Sequence, residues 1–134
     1  MFQICKTIYF CYGHRLMGHE GGCGHLHGHN ARVEILLKSE TLDQRDFVFD
    51  FGEITAKVKT WIDQEMDHKM LLRKDDPLIG PLRELGEPVV VFEANPSAEA
   101  IARKIYRYAV QKELPVEEVK VWETESAWAS YRGE

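Results

Sequence analysis

Apolar and polar residues alternate over the first twelve positions of the chain. The even positions from Phe2 to Tyr12 are apolar apart from Lys6, which predicts a half-buried strand over this stretch. A second alternating stretch runs from about His27 to Lys38 and predicts a second strand. Its inward face would carry Ala31, Val33, Ile35 and Leu37.

The spacing of apolar residues then changes to a helical period. Asp50, with Glu53 three residues later, resembles a capping box and predicts a helix from about Phe51 to Glu65. Asn95 and Pro96 predict the start of a second helix, with Asn95 as its N-cap. The residues 67–88 between these helices are rich in proline and glycine, which predicts a loop before a short strand at 89–92.

Two more strands are predicted at Val119–Thr124 and Ala127–Tyr131, joined by a tight turn. The order β-β-α-(β)-α-β-β indicates an α+β domain, an antiparallel sheet covered on one face by two helices. Such a sheet has two unpaired edges, which favours edge-to-edge assembly of several chains into a closed ring.

Length and composition predict one domain spanning 1–134, since 134 residues can form a hydrophobic core. A net charge of -5 and the lack of any basic run argue against nucleic-acid binding. No apolar run approaches the roughly 20 residues that cross a bilayer, so no membrane partner is expected. The alternating N-terminus is unlike the continuous apolar segment of a signal peptide. In a protein that is not exported, the three cysteines are expected to be reduced thiols, which predicts a cytoplasmic location.

Five of the six histidines lie between His14 and His29, in the sequence HRLMGHEGGCGHLHGH. His27 and His29 are two apart, so in a strand both project from one face, roughly 6.5–7 Å apart. His14 follows the first predicted strand, and the short connection 15–26 would bring it back beside the second. Three histidines leave the fourth position of a tetrahedral zinc ion open, as catalytic zinc sites do.

The simplest alternative is a set of solvated histidines in a glycine-rich loop. The third histidine and the neighbouring Cys23 favour a metal site with a reactive thiol beside it. His25 shares the alternation of His27 and His29, and His19 lies nearby, so spacing alone leaves the choice of ligands open. Zinc suits imidazole ligands, and other divalent metals remain alternatives.

Five short motifs occur in order along the chain. They are H-R-L at His14 with C-G-H-L-H-G-H at Cys23, D-F at Asp50, M-D-H-K-M-L at Met66, N-P-S-A-E at Asn95 and E-T at Glu123. The family patterns that they match are H-x-L with C-x-x-x-H-G-H, D-F, L-D-H-x-x-L, N-P-T-A-E and E-T. Together they resemble the family of 6-pyruvoyl-tetrahydropterin and 6-carboxy-tetrahydropterin synthases. The resemblance implies the tunnelling fold (T-fold), an antiparallel four-stranded sheet with two helices. It also implies a homohexamer, in which trimers close their sheets into barrels and two trimers stack.

The same resemblance implies a set of site residues. The implied zinc ligands are His14, His27 and His29, which leaves His19 and His25 without an assigned role. Cys23 matches the catalytic thiol, Asp67 and His68 match a proton-relay pair, and Glu123 matches the residue that anchors the pterin. Taken without the resemblance, Asp67 and His68 read as a helix-end residue and a surface histidine, and Glu123 as an exposed strand residue.

The family's substrate is 7,8-dihydroneopterin triphosphate, and two outcomes are known within the family. One keeps the side chain and gives the 6-pyruvoyl product used for tetrahydrobiopterin; the other gives 6-carboxy-tetrahydropterin and acetaldehyde for queuosine and other 7-deazaguanines. The compact chain and the eight residues between His14 and Cys23 favour the carboxy-forming lyase. The rivals are a zinc-binding structural or regulatory module and a zinc hydrolase.

A few positions depart from the family pattern. Ala31 stands where an aromatic residue is common, Leu72 where asparagine is common, and Ser97 replaces threonine. Cys11 places a second thiol near the metal loop, which leaves alternative zinc ligation or oxidation open.

Overall fold

The computed structural model describes residues 1–134. Its strands are β1 (Phe2–His14), β2 (His27–Ser39), β3 (Lys69–Arg73), β4 (Val89–Phe92), β5 (Val116–Thr124) and β6 (Ala127–Tyr131). Its helices are α1 (Phe51–Ile54), α2 (Thr60–Glu65), α3 (Ile79–Glu84) and α4 (Ala98–Gln111). A π-helical turn at Thr55–Lys59 joins α1 to α2, so the first predicted helix is one continuous rod from Phe51 to Glu65.

All six strands form one sheet in the order β4-β3-β1-β2-β5-β6. The centre of the sheet is the long antiparallel pair of β1 and β2, in register from Phe2 opposite Ser39 to His14 opposite His27. The two strands predicted at the start of the chain are therefore confirmed, and both extend slightly beyond the predicted ends. The α+β class is confirmed as well.

The sheet differs from the predicted four-stranded antiparallel sheet in the number of its strands and in the direction of one of them. β3 lies in the predicted loop and pairs parallel with both β1 and β4, which makes the sheet mixed and six-stranded. Leu71 and Leu72 are consecutive and both fully buried, so β3 lacks the alternation that identifies a half-exposed strand. The short helix α3 was also missed between the prolines and glycines of that segment.

The helix starts show one correct prediction and one wrong one. The Asp50 side chain accepts hydrogen bonds from the backbone N–H groups of Gly52 and Glu53, so Asp50 is the N-cap of α1 as expected. The N-cap of α4 is Ser97, whose hydroxyl accepts from Ala100 N–H, and not Asn95. Asn95 instead binds the backbone of Met17 through both its amide oxygen and its amide nitrogen, each at 2.9 Å.

The rod from Phe51 to Glu65 and helix α4 cover one face of the sheet. The even positions of β1 and the odd positions of β2 and β5 point into a core that also contains Ile54, Ile62, Ile101 and Ile105. Each such aliphatic side chain contributes about 1.5–3 kcal/mol by leaving water. On the opposite, uncovered face Tyr9 is 66% exposed. None of the helices is both long and apolar enough to span a membrane.

Candidate metal centre and active site

Three histidines meet where β1 ends and β2 begins. His14 is the last residue of β1 and pairs with His27, the first residue of β2, while Tyr12 pairs with His29. Residues paired across antiparallel strands project to the same side of a sheet, as do residues two apart in one strand. The ring centroids lie 4.5 Å apart for His14 and His27 and 5.1 Å for each of the other two pairs. One potential ligand nitrogen from each ring lies within 4.8 Å of the others.

Two of these rings are held by backbone carbonyl groups. Nδ1 of His14 lies 2.7 Å from the carbonyl oxygen of Pro96, and Nδ1 of His27 lies 2.8 Å from that of His25. A carbonyl oxygen only accepts, so in each ring Nδ1 carries the proton and Nε2 keeps its lone pair. This is the arrangement by which metal-binding histidines are oriented in proteins.

The free nitrogens of the cluster suit a metal ion. Nε2 of His14 and Nε2 of His29 are buried, and neither makes a hydrogen bond of acceptable geometry, although a carboxylate oxygen of Glu123 lies near both. Burial, the largest influence, lowers the pKa of His14 and favours the neutral imidazole that a metal requires. An unpaired buried nitrogen is costly, and coordination of a cation would satisfy both nitrogens at once.

Glu123 brings a carboxylate to this cluster from β5. Its Oε2 lies 2.9 Å from Nε2 of His29 and 3.4 Å from Nε2 of His14. The hydroxyl of Tyr12 donates to the same oxygen at 3.2 Å. Burial and the adjacent carboxylate raise the pKa of Tyr12, so this hydroxyl keeps its proton. Glu123 lines an open pocket of about 610 Å³ with His29, Arg32 and Trp122.

Asp67 and His68 follow the end of α2 and lie beside β1. Oδ2 of Asp67 accepts from Nδ1 of His68 at 2.7 Å, and Oδ1 accepts from the backbone N–H of Cys11 at 2.9 Å. Burial opposes ionisation of Asp67, but these hydrogen bonds outweigh it and its pKa is lowered. The His68 ring is 79% exposed and lines a second open pocket, of about 500 Å³, with His29 and Met70.

Cys23 and the remaining histidines lie in the loop between β1 and β2. Cys23 is in a single 3₁₀ turn, Gly22–Gly24, whose position is fixed by the hydrogen bond from Leu16 N–H to the Cys23 carbonyl at 2.8 Å. Its thiol makes no hydrogen bond to Asp67 or His68 of the same chain. His19 accepts from Gly21 N–H, and His25 supplies the carbonyl group that orients His27. Neither ring belongs to the histidine cluster.

Sequence reasoning missed the residues that orient the cluster. Pro96 fixes His14 through its carbonyl oxygen, and Tyr12 donates to Glu123, yet neither contact leaves a local signal in the sequence. Arg15, next to His14, forms a two-point ion pair with the buried Asp76 at 2.5 and 2.7 Å. The alternation of β1 does place Tyr12 on the same face as His14, which was the one available indication.

Fold and site together define an α+β protein whose histidine centre lies at the paired ends of two strands. A family model described as 6-pyruvoyl tetrahydropterin synthase matches residues 3–134. The chain belongs to this family, and the prediction that it is an enzyme of the family is confirmed.

Curated relatives and solved structures agree with this assignment. A 6-carboxy-5,6,7,8-tetrahydropterin synthase of Rickettsia felis is 38% identical over 104 residues, 76% of this chain and 75% of the relative. The enzyme of the same name from Rickettsia typhi is 33% identical over 135 residues, 96% of this chain and 98% of the relative.

An uncharacterized protein of Wolinella succinogenes has a similar structure, with a TM-score of 0.83 and 29% identity over 99% of this chain and 98% of that chain. The 6-pyruvoyl tetrahydropterin synthase of Caenorhabditis elegans has a TM-score of 0.73 at 17% identity over 99% of this chain and 96% of that chain, which shows the fold. The tunnelling fold implied by the sequence motifs is therefore confirmed.

Proposed function

We propose that this chain is a zinc-dependent lyase that converts 7,8-dihydroneopterin triphosphate and one water molecule into 6-carboxy-5,6,7,8-tetrahydropterin, acetaldehyde and triphosphate. The observation that carries the proposal is the cluster of His14, His27 and His29, with two buried Nε2 atoms that lack a hydrogen bond. The relatives named 6-carboxy-5,6,7,8-tetrahydropterin synthase support the carboxy-forming outcome. That product belongs to the queuosine and 7-deazaguanine pathway.

The three histidines would hold the metal through Nε2, since Nδ1 of His14 and of His27 is engaged with a backbone carbonyl group. A zinc ion in this place supplies Lewis-acid polarisation of the substrate's hydroxylated side chain. Imidazole ligands favour zinc, and three of them leave room for substrate.

Glu123 would anchor the pterin ring. The 2-amino group and adjacent ring N–H of a pterin are two parallel donors, and a carboxylate can accept from both. Tyr12 already donates to Oε2 of Glu123, so it would help to hold the carboxylate in place. The pocket between Glu123, Arg32 and Trp122 offers space beside that carboxylate.

Cys23 and the Asp67–His68 pair would handle protons. Cys23 lies in the loop between β1 and β2, four residues before His27, and in its thiolate form it would be the base that removes a proton from the substrate side chain. Asp67 fixes the orientation of the His68 ring by accepting from its Nδ1, so that Nε2 is available to exchange a proton with the substrate.

Within one chain the Cys23 thiol makes no hydrogen bond to Asp67 or His68 and does not cluster with them, which supports a site completed by a second subunit. The sheet also ends in two strands with a free edge, β4 and β6. We therefore infer a homo-oligomer with sites at the subunit interfaces. The resemblance to the family implies its form, a dimer of trimers whose sheets join into barrels. Three free thiols support the cytoplasm as its compartment.

The test is to incubate the zinc-loaded protein with 7,8-dihydroneopterin triphosphate and to identify the products by mass spectrometry. Acetaldehyde with 6-carboxy-tetrahydropterin is the expected result. A 6-pyruvoyl product alone would move the assignment to the sister activity, after which the family model is named. No turnover by the metal-loaded oligomer would favour a non-catalytic zinc module.

A pair of cysteine variants tests the role of the thiol. Cys23→Ala should lose activity by about 10²-fold or more, the usual contribution of a general base. Cys5→Ala is the matched control, because Cys5 is an exposed thiol in the middle of the β1–β2 pair. Full activity of Cys23→Ala would rule out the assigned base.

A further inference from the structure

A second cluster of possible metal ligands lies at the edge of β1. Cys11, Asp67 and His68 each offer one ligand atom, and these atoms lie within 4.8 Å of one another. Two backbone contacts bring the three residues together. The N–H of Cys11 donates to Oδ1 of Asp67 at 2.9 Å, and the N–H of His68 donates to the carbonyl oxygen of Cys11 at 2.7 Å.

This cluster is separate from the three histidines. Cys11 occupies an odd position of β1, so its side chain projects from the face opposite to that of Tyr12 and His14. The histidine cluster contains no sulfur, whereas the Cys11 cluster combines a thiol, a carboxylate and an imidazole. These are the three side-chain types that bind zinc, and the thiol adds affinity for softer, thiophilic divalent metals.

The geometry needs only a small closure to hold an ion. A tetrahedral zinc with bonds of about 2.0–2.3 Å places its ligand atoms roughly 3.3–3.6 Å apart. The His68 ring is 79% exposed, so it can move by this amount without disturbing the core. The backbone of His68 has a φ of 60°, a region that few residues other than glycine adopt, and it directs the ring beside Asp67.

We propose that Cys11, Asp67 and His68 form a second metal site, which takes zinc or a softer divalent metal such as cadmium and whose occupation inhibits turnover. The metal takes the place of the hydrogen between Oδ2 of Asp67 and Nδ1 of His68, while the ring proton moves to Nε2. The thiol of Cys11 binds as the thiolate and releases its proton to solvent. The predicted inhibition rests on the proposed function, because the bound metal would withdraw His68 from proton transfer. The predicted metal binding does not depend on that function.

Cobalt(II) is the probe for the binding. The full-length protein is first loaded with one zinc per chain, reduced with a phosphine, and titrated with Co²⁺. A thiolate–cobalt charge-transfer band in the near ultraviolet should grow in with one further equivalent. Cys11→Ser should abolish this band, while Cys23→Ser and Cys5→Ser should retain it.

The ring is tested in the same way. The variant His68→Asn keeps a residue type that tolerates the positive φ. It should lower the affinity for the second equivalent of cobalt by at least about 10-fold, since even the outer contacts of metal ligands change affinity by 10–100-fold. His19→Asn is the matched control, because His19 is an exposed histidine outside both clusters. A band that disappears in Cys23→Ser and survives in Cys11→Ser would overturn the proposal, as would saturation at one metal per chain.

Activity provides a separate measurement. Zinc added beyond one equivalent should inhibit the wild-type protein and leave Cys11→Ser active at the same concentration. Equal inhibition of both would remove the regulatory part of the proposal. An enzyme with no turnover on the pterin substrate would contradict the proposed function, while the cobalt spectra would still decide whether the second site exists.

Discussion

Oδ2 of Asp67 lies 2.7 Å from Nδ1 of His68, so two neighbours in the sequence form a hydrogen-bonded pair just after α2. The contact forms because Asp67 also accepts from the backbone of Cys11, while the backbone N–H of His68 donates to the Cys11 carbonyl. Hydrogen bonds to the backbone of β1 therefore position both the carboxylate of Asp67 and the imidazole of His68. In the proposed reaction, this alignment determines which ring nitrogen carries the proton.

Replacement of Asp67 should impair catalysis without unfolding the protein. In Asp67→Asn a neutral amide replaces the charged acceptor of the His68 Nδ1 hydrogen bond and holds the ring less firmly, so we expect kcat to fall by about 10²-fold or more. Turnover of 7,8-dihydroneopterin triphosphate at several pH values is the measurement. Asp63→Asn is the control, since Asp63 forms only a surface pair with Lys59. An unchanged kcat and pH profile in Asp67→Asn would show that the pair is structural.

Replacement of single histidines should distinguish those that bind the metal from those that do not. His27→Ala takes one of three clustered nitrogens away, and we expect it to lose bound zinc together with activity. His25→Ala keeps the backbone carbonyl group that orients His27, so zinc should stay at one equivalent per chain. Atomic absorption after dialysis gives the metal content, and retention of zinc by His27→Ala would contradict the proposed ligand set.

The ion pair of Asp76 with Arg15 should stabilise the fold in a pH-dependent way. The Asp76 side chain is fully buried, and the hydrogen bonds from Arg15 lower its pKa. A lowered folded-state pKa means that the stabilisation is complete above the ordinary aspartate value of about 3.9. It is lost as the pH falls through the lower folded value.

We expect Asp76→Asn to lower the free energy of unfolding by about 2–3 kcal/mol at pH 7, because it leaves a partly buried Arg15 without its charge partner. Urea unfolding at pH 7 and near pH 3 should show this gap narrowing in acid. Asp75→Asn is the neighbouring control, an exposed pair with Arg73 whose loss should change stability by less than about 1 kcal/mol. Equal effects at both positions would contradict the role given to burial.

Helix α4 offers a test of the core within a single element. Ile105 is fully buried and Val110 is 50% exposed, although both are aliphatic residues of the same helix. Ile105→Ala should cost about 2–5 kcal/mol of unfolding free energy, and Val110→Ala about 0.5 kcal/mol or less. Chemical denaturation measures both. A similar loss for the two variants would mean that α4 is covered on both faces.

The sequence predicted those features that are encoded locally. β1 and β2 are half-exposed and alternate, and the rod from Phe51 to Glu65 has a helical period with Asp50 at its start. The same pattern indicates that histidines meet at the joined ends of the two strands. Spacing alone left the choice among the five histidines open, and the family resemblance implied His14, His27 and His29. These predictions needed no knowledge of the rest of the molecule.

What the sequence could not show depends on distant contacts. β3 is buried without alternation, so its five residues resemble any short apolar run. Asn95 is a residue type that often caps helices, yet its side chain accepts a hydrogen bond from the backbone of Met17, 78 positions away in the sequence. Ser97 is the N-cap of α4 instead. Cys11 was placed with the metal loop by its position in the chain, whereas the fold sets it beside Asp67 on the other face of the sheet.

The orientation of His14 in the histidine cluster depends on contacts with parts of the chain that are distant in sequence. Its backbone lies between β2 and β3, and its ring is held by Pro96, 82 positions further along the chain. Contacts over such separations form late in folding, after most local structure exists. A nascent chain released before Pro96 would therefore present its histidines without the orientation that selects Nε2. Metal loading should follow the completion of folding, and the apoprotein should be the species that first acquires the ion.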